Sequence, residues 1–487
     1  MLEVATSPPL LRSLARAVLL PVAGAMALLA CSSEENDGER QSASGPPPPH
    51  IVLVLVDTLR ADHTSVYGYE KGTTPELEKI AAEGVVMRRH FANAPWTKPS
   101  VASILTGLHP TAHGSRIGQF NASTSNEGPR VELLSEKNLT FVEVLQDAGY
   151  RTASHVSNYN LLAKWGYDQG YDRYELVPRA SDDVVLASDR ESMEFVLEEL
   201  DRADRPTFVW SHMMAVHQYK SPGFDAEFRD PGETPIDPNG RVAGRVMGFG
   251  SLEKALARYD GSIKYCDMLI GELYRALQER HPNTILIVTS DHGEEFYDHG
   301  GYEHCETLYS ELLRVPAIIA GAGVPKGKEI TKITDSIDVF PTVLSLAGID
   351  TSEIPRMGTP MVTGRGSLGG KSETFAEQHH RGPFIAFAAT RDGGRLIESY
   401  RKFPKKMDHT RTGKLVRREF YDAADTTERV ELIAQKPDTD VTDFADVIQN
   451  YRQATRAWFD GSIGDREFGT VDENDLKVLR QIGYANK

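Results

Sequence analysis

Two uninterrupted apolar runs, each closed by an acidic residue, restrict this chain more than any other feature. Ile51 to Val56 reads IVLVLV and is broken by Asp57; Thr284 to Thr289 reads TILIVT and leads into Ser290-Asp291-His292-Gly293. A strand with no polar alternation has to be covered on both faces, as at the centre of a parallel sheet. Two shorter runs have the same character: Phe208-Val-Trp210 before Ser211-His212, and Pro316 to Ala320 before Gly321. Helical patterns lie between them at Pro75–Glu83, Val131–Gly149, Ala187–Asp201, Ser251–Arg280 and Ile337–Gly348. This alternation predicts a doubly wound α/β domain over residues 50–365. From Lys371 onward short, charged, strand-like pieces are followed by helical stretches at Asp446–Phe459 and Glu473–Leu479. They predict a smaller α+β subdomain over residues 366–487.

The 487 residues are 40% hydrophobic and 25% charged, which allows a large core. The formal net charge is −16 and no basic stripe is present, which disfavours a nucleic-acid-binding role. An acidic chain can still take an anionic substrate if a metal and a few cations supply local positive charge. Residues 1–31 read as an export leader: Arg12 and Arg16 precede an apolar run, Ala17 to Ala30, too short to span a bilayer comfortably. Leu28-Leu29-Ala30-Cys31 is similar to a bacterial lipobox. It makes Cys31 the lipidated first residue of an exported cell-envelope lipoprotein, held to the membrane by that lipid. Residues 32–49, nearly devoid of apolar side chains and ending in four prolines, read as a tether. Cys266 and Cys305 could pair in an oxidising compartment. Cys266 falls on the apolar face of a helical pattern with Tyr259, Ile263, Ile270 and Leu273, which favours a buried thiol there.

In open α/β sheets ligands sit beyond the carboxyl ends of the strands. Asp57 and the Asp291-His292 pair end two buried strands at that edge, and together they suggest a shared divalent cation. Thr97 in Asn93-Ala-Pro-Trp-Thr97-Lys-Pro-Ser falls at a helix start, with Pro99 tolerated in the first turn. There its hydroxyl sits among unpaired amide donors, a good place for an anion. A hydroxyl that also touched the cation would ionise more easily and become a usable nucleophile.

The block Thr97-x-Pro99-Ser100-x-x-x-x-Leu105-Thr106-Gly107 resembles the sulfatase signature, with Thr97 where members carry the Cys or Ser that becomes formylglycine. Val56 to Asp62 resembles the family's first metal-binding strand, and Leu145 to Thr152 its LxxAGYxT segment. His217 stands at the histidine of its DPHxPY motif, and Tyr259 to Gly271 resembles YxxxIxxxDxxIG. Ser290 to Glu294, His299-Gly300, His304 and Tyr309 to Pro316 are similar to the second metal strand and its loop. Asp338 to Thr342, Phe420 to Asp422 and Leu479 to Tyr484 match later family segments. The chain is identified as similar to the sulfatase-like branch of the alkaline phosphatase superfamily. That resemblance implies an alkaline phosphatase-like, doubly wound mixed sheet flanked by helices, and a metal-dependent hydrolase acting on an anionic ester.

The departures shape the expected chemistry. Position 97 holds neither Cys nor Ser, the Arg expected after Pro-Ser is Val101, the second Asp of the first strand is Thr58, and the usual Lys and His are replaced around Ser157, Asn158 and Tyr159. Relatives with an unmodified Thr attack phosphorus directly and bind Zn or Mn. Carried over, this implies Asp57, Thr97, Asp291 and His292 as ligands of Mn, Zn or Ca. It implies Thr97 as nucleophile and His304 or His217 as proton donor, with Lys98 and Arg60 supplying the charge lost with Arg. His217, His299, His304 and Asp298 could furnish a second metal site. Phosphate-ester cleavage, sulfate-ester cleavage, phospho-transfer and a binding protein without turnover stay open as readings.

Overall fold

The computed structural model describes residues 47–119, 130–177, 182–229, 251–380, 384–402, 413–435, 438–465, 467–475 and 477. The expected leader, Cys31 and most of the tether lie outside the described residues, as does part of the expected helix at Glu473–Leu479.

A mixed eight-stranded sheet forms the body. Its strands in chain order are β1 (His50–Val56), β2 (Gly84–Phe91), β3 (Arg151–Val156), β4 (Arg173–Leu176), β5 (Thr207–Met213), β6 (Thr284–Thr289), β7 (Ala317–Gly321) and β8 (Lys328–Asp335). Their spatial order is β8-β2-β7-β6-β1-β5-β3-β4. β1 pairs parallel with β5 and β6, so the Asp57 end and the Asp291 end share one edge. β7 runs antiparallel to both β6 and β2. The cause is its connection: residues 290–316 turn back at the carboxyl edge of β6 without a crossover helix.

The apolar run of β1 is covered on both sides, as its composition requires. Ile51, Leu53 and Leu55 enter one core cluster, while Val52, Val54 and Val56 enter the other. Helices α1 (Pro75–Ala82), α4 (Asp182–Asp201) and α5 (Leu252–Arg280) contribute Leu77, Val196 and Ile263 to the second face. Helices α2 (Thr97–Thr106), α3 (Phe141–Asp147) and α6 (Val339–Leu346) contribute Val101, Phe141 and Val343 to the first. Each such buried side chain contributes about 1.5–3 kcal/mol relative to exposure, so the strand that carries Asp57 is anchored from both sides.

One expected helix is corrected. Residues 131–149 do not form one helix: Arg130–Glu132 is a strand paired with Gly118–Gln119 and Phe468–Thr470. α3 begins only at Phe141, where Thr140 and Glu143 form a reciprocal capping box. A cap of that kind satisfies amide donors at its own position and so fixes the helix start there.

Beyond residue 372 a separate four-stranded antiparallel meander follows: β9 (Glu373–Gln378), β10 (Phe384–Arg391), β11 (Gly394–Arg401) and β12 (Leu415–Asp422). Helix α7 (Asp438–Ser462) lays Phe444, Ile448 and Tyr451 on Ile385, Phe387, Leu396 and Phe420. The chain then returns to the first body through the pairing at Phe468–Thr470. Cys266 is a buried thiol in α5 whose ionisation burial pushes well up.

Candidate active site

The site lies where β1, β5 and β6 end. Asp57 continues the β1–β5 ladder through its amide, which donates to the Met213 carbonyl at 3.0 Å. Thr58 then turns the chain at φ 63°, a left-handed conformation costing roughly 1–2 kcal/mol for a non-glycine residue. It is locked by its amide donating to Asp291 Oδ1 at 3.2 Å and by the Tyr259 hydroxyl donating to its carbonyl at 2.6 Å. Its own hydroxyl donates to the Asp57 carbonyl at 2.7 Å.

After β6, Gly293 passes so close to the Glu311 carbonyl that a Cβ would sit 1.8 Å from it, so only glycine fits. The Gly293 carbonyl takes His292 Nδ1 at 2.8 Å. A ring donating from Nδ1 turns Nε2 toward the sheet edge. There Nε2 lies 3.3 Å from Thr97 Oγ1, 3.4 Å from Asp291 Oδ2 and 3.7 Å from Asp57 Oδ1. Thr97 opens α2, and its Oγ1 is 3.4 Å from Asp57 Oδ2. Ser100, one turn along, ties the same helix to the Asp291 carbonyl.

Asp57, Thr97, Asp291 and His292 therefore converge at one point, all with 0% exposure, whereas His217 and His304 each show 9%. The two histidines mark the open side. The His304 ring centroid is 4.6 Å from that of His292 and 5.1 Å from that of His217. Burial pushes Asp291 up to about 7 and His292 down to about 4, the latter helped by nearby His304. Both shifts express one fact: charge in this cleft is costly unless something of opposite sign is present.

Lys98 is placed differently. Its amine, also 0% exposed, lies 4.7 Å from the Tyr167 ring centroid and 5.2 Å from that of Trp165. Burial lowers it to about 7, partly offset by Glu132. Arg60 is engaged by Asp62 at 2.7 Å and by Asp298 at 2.9 Å. His299 bonds Glu311 at 2.6 Å and the Glu428 carbonyl at 2.7 Å, and Arg429 takes Asp298 at 3.2 Å. His299 and Asp298 thus engage the loop beyond β12, at Glu428 and Arg429, and among the described residues do not join His217 and His304 in a second cation site.

Two residues in the cluster were not read as site residues from the sequence. His212, at the end of β5, reads as a packing residue there, yet its Nε2 lies 3.5 Å from Asp57 Oδ2. Asn158 donates from Nδ2 to Asp57 Oδ2 at 2.7 Å and to Thr97 Oγ1 at 3.2 Å. Their signals are present: His212 ends a third buried strand at the same edge, and Asn158 sits where the family pattern is broken.

The residues fit a divalent cation. Asp57, His212 and Asp291 offer ligand atoms all within 4.8 Å of one another, and all three are buried. Acceptor atoms of Asp57, Asp291 and His292 face one another at 3.4 to 3.7 Å. Lone pairs so arranged repel unless positive charge lies between them, and ligands of one ion sit about this far apart. With the two Thr97 contacts, the donor set mixes carboxylate, hydroxyl and imidazole, which suits Mn or Zn at least as well as Ca.

The single mixed sheet with helices on both faces and the smaller antiparallel domain make an alkaline phosphatase-like fold, and the family match makes the chain an ester hydrolase. The chain belongs to the sulfatase family, whose model, described as Sulfatase, matches residues 49–349. A divalent metal is general in that family. The chain is similar to a sulfatase of Formosa agariphila, 21% identical over 381 residues, covering 66% of this chain and 73% of that one. Among solved structures it resembles a 2-O GAG sulfatase with a TM-score of 0.64 at 17% identity, over 88% of this chain and 96% of the other. It also resembles the phosphonate monoester hydrolase of Agrobacterium radiobacter with a TM-score of 0.61 at 18% identity, over 84% and 95%. Among the described residues no helix is long and apolar enough to cross a membrane.

Proposed function

We propose that the protein is a metal-dependent hydrolase that cleaves a phosphate ester or diester with unmodified Thr97 as nucleophile. The observation that carries this reading is the position of Thr97 Oγ1, at the first residue of α2 and 3.3–3.4 Å from His292 Nε2 and Asp57 Oδ2. A cation held by Asp57, Asp291, His292 and Thr97, with His212 beside Asp57, would supply the positive charge that favours the Thr97 alkoxide and the bound oxyanion. Thr97 Oγ1, its proton lost to solvent, attacks phosphorus in line. The bond to the leaving alcohol breaks, and His304 or His217 gives that oxygen its proton. Water then displaces Thr97, returning one proton to the histidine. Asn158 holds Asp57 and Thr97 together, and Lys98 acts through the placement of the α2 terminus. Sulfate-ester cleavage is the second reading, favoured by the family itself. The likeness in fold to a phosphonate monoester hydrolase is compatible with the first. The leader and Cys31 complete the proposal with an envelope lipoprotein whose soluble domain is carried on the 32–49 tether.

The test is turnover of aryl sulfate, phosphate monoester and phosphate diester by the soluble domain with Mn, Zn or Ca, beside Thr97→Ala. Phosphodiester turnover lost in Thr97→Ala supports the reading; sulfate turnover dependent on Thr97 overturns the ranking of phosphate over sulfate.

A further inference from the structure

His304 is braced from behind by a carboxylate. Its Nδ1 lies 2.9 Å from Glu294 Oε1, and the other oxygen of that carboxylate accepts the Tyr219 hydroxyl at 3.0 Å. The Glu294 backbone is itself fixed, its amide donating to the Glu311 carbonyl at 3.1 Å and its carbonyl accepting Arg60 Nη1 at 3.0 Å. Glu294 is a buried strut with both ends held. A carboxylate only accepts, so Nδ1 of His304 donates and Nε2 is the nitrogen directed away from Glu294.

The backbone around the ring is strained. Glu303 at φ 69° and Cys305 at φ 96° flank His304, and Tyr219 stands at φ 49°. Of the six non-glycine residues at positive φ among the described residues, these three, Thr58 and Tyr297 lie on the segments around the site. Each such residue costs on the order of 1–3 kcal/mol and persists where its surroundings over-determine it. Relaxing Glu303 or Cys305 would swing the His304 ring, so the strain and the Glu294 contact specify one direction together.

We infer that Glu294, backed by Tyr219, is a positioning residue that aims His304 at the leaving group of the ester over Thr97. The inference rests on the hydrolase reading and chooses between its two histidines. A carboxylate behind one ring nitrogen supports a proton given from the other. His217 Nδ1 instead faces the amide nitrogen of its chain neighbour Gln218 at 2.9 Å and accepts there. A ring that accepts at Nδ1 carries one proton only, on Nε2, and so is not in the doubly protonated form that gives one up readily.

The test compares Glu294→Ala, Glu294→Gln and Tyr219→Phe in the metal-loaded full chain, on aryl and alkyl phosphodiesters of graded leaving-group acidity, with metal content measured for each. Glu294→Ala is expected to lower kcat by about 10²-fold for poor leaving groups and less than tenfold for 4-nitrophenolate, with KM within about twofold. Glu294→Gln, which still accepts from Nδ1, should restore much of the loss, and Tyr219→Phe should show the same trend more weakly. A loss equal for all leaving groups overturns the inference, as does loss of bound metal in Glu294→Ala or a full loss in Glu294→Gln. If Glu294→Ala does not fold, the trend in the other two variants decides. Retained turnover in Thr97→Ala would sink the nucleophile reading alone, because the leaving-group trend reads His304 independently.

Discussion

The side-chain amide of Asn158 bridges the carboxylate and the hydroxyl on which the proposed chemistry depends: Nδ2 lies 2.7 Å from Asp57 Oδ2 and 3.2 Å from Thr97 Oγ1. Its other end is pinned, because Oδ1 accepts the Asn160 amide at 2.9 Å. The donor is therefore preorganised rather than recruited on binding. Asn158→Ala is expected to lower kcat on the order of 10²-fold, the usual cost of one preorganised donor in a buried site. Thermal stability should change little by comparison. Steady-state kinetics beside a melting curve checks this; a change confined to KM would contradict it.

Metal removal should weaken the fold. Asp57 and Asp291 face one another across His292, and burial has already pushed Asp291 up to about 7. A cation that binds only the folded chain stabilises it by about 2.7 kcal/mol when present at about 100 times its Kd. Chelation at pH 8 should therefore lower Tm. In Asp291→Asn the metal-dependent difference should shrink, while the metal-free protein becomes more stable because one of two facing carboxylates is gone. Scanning calorimetry with and without chelator distinguishes the two effects, and an unchanged Tm on chelation would remove the cation from this cleft.

The fold and half of the site were legible because they depend on local pattern. Runs such as IVLVLV and TILIVT declare buried strands, and Asp57, Asp291 and His292 lie within three residues of their ends. β2 and β8 were not singled out, since GVVMRRHF and KEITKITD mix charge into the pattern. Their polar faces find partners only in the fold: His90 meets Thr334 at 3.0 Å. Asn158 and His212 were missed for the same reason, as each acquires its role from a neighbour 101 or 155 positions away along the chain. The strand at Arg130–Glu132 reads as helix locally and is decided by its pairing with Phe468–Thr470.

His299 should make the junction of the two domains sensitive to alkali. Its ring takes Glu311 at 2.6 Å and the Glu428 carbonyl at 2.7 Å, and the paired carboxylate raises it to about 9 despite burial working the other way. A histidine raised in the folded state gives stability that is fully present below its unfolded value, near 6.5, and is lost as pH rises through about 9. The contribution is on the order of 2–3 kcal/mol. The difference in denaturant midpoint between the wild type and His299→Gln should therefore be largest near pH 6 and shrink as pH rises to 10, and a difference independent of pH would contradict this.

Lys98 offers the opposite sign. Its amine is enclosed by Tyr167 and Trp165, and burial lowers it to about 7. Between that value and the unfolded one near 10.4 the folded chain holds fewer protons than the unfolded chain, so stability rises with pH over this window. At pH 6 the protein must either bury a charged amine or give up a proton, and both are unfavourable. Lys98→Met keeps the stem and removes the amine. It should stabilise the protein at both pH 6 and pH 9, with the gain larger at pH 6 by on the order of 2 kcal/mol. Turnover should stay within several-fold if the amine acts only through the placement of α2. Urea titrations at the two pH values, paired with kinetics, check both halves. A gain independent of pH would mean that the amine reaches water or a carboxylate in solution, and a loss of turnover near that of Thr97→Ala would put Lys98 on the substrate.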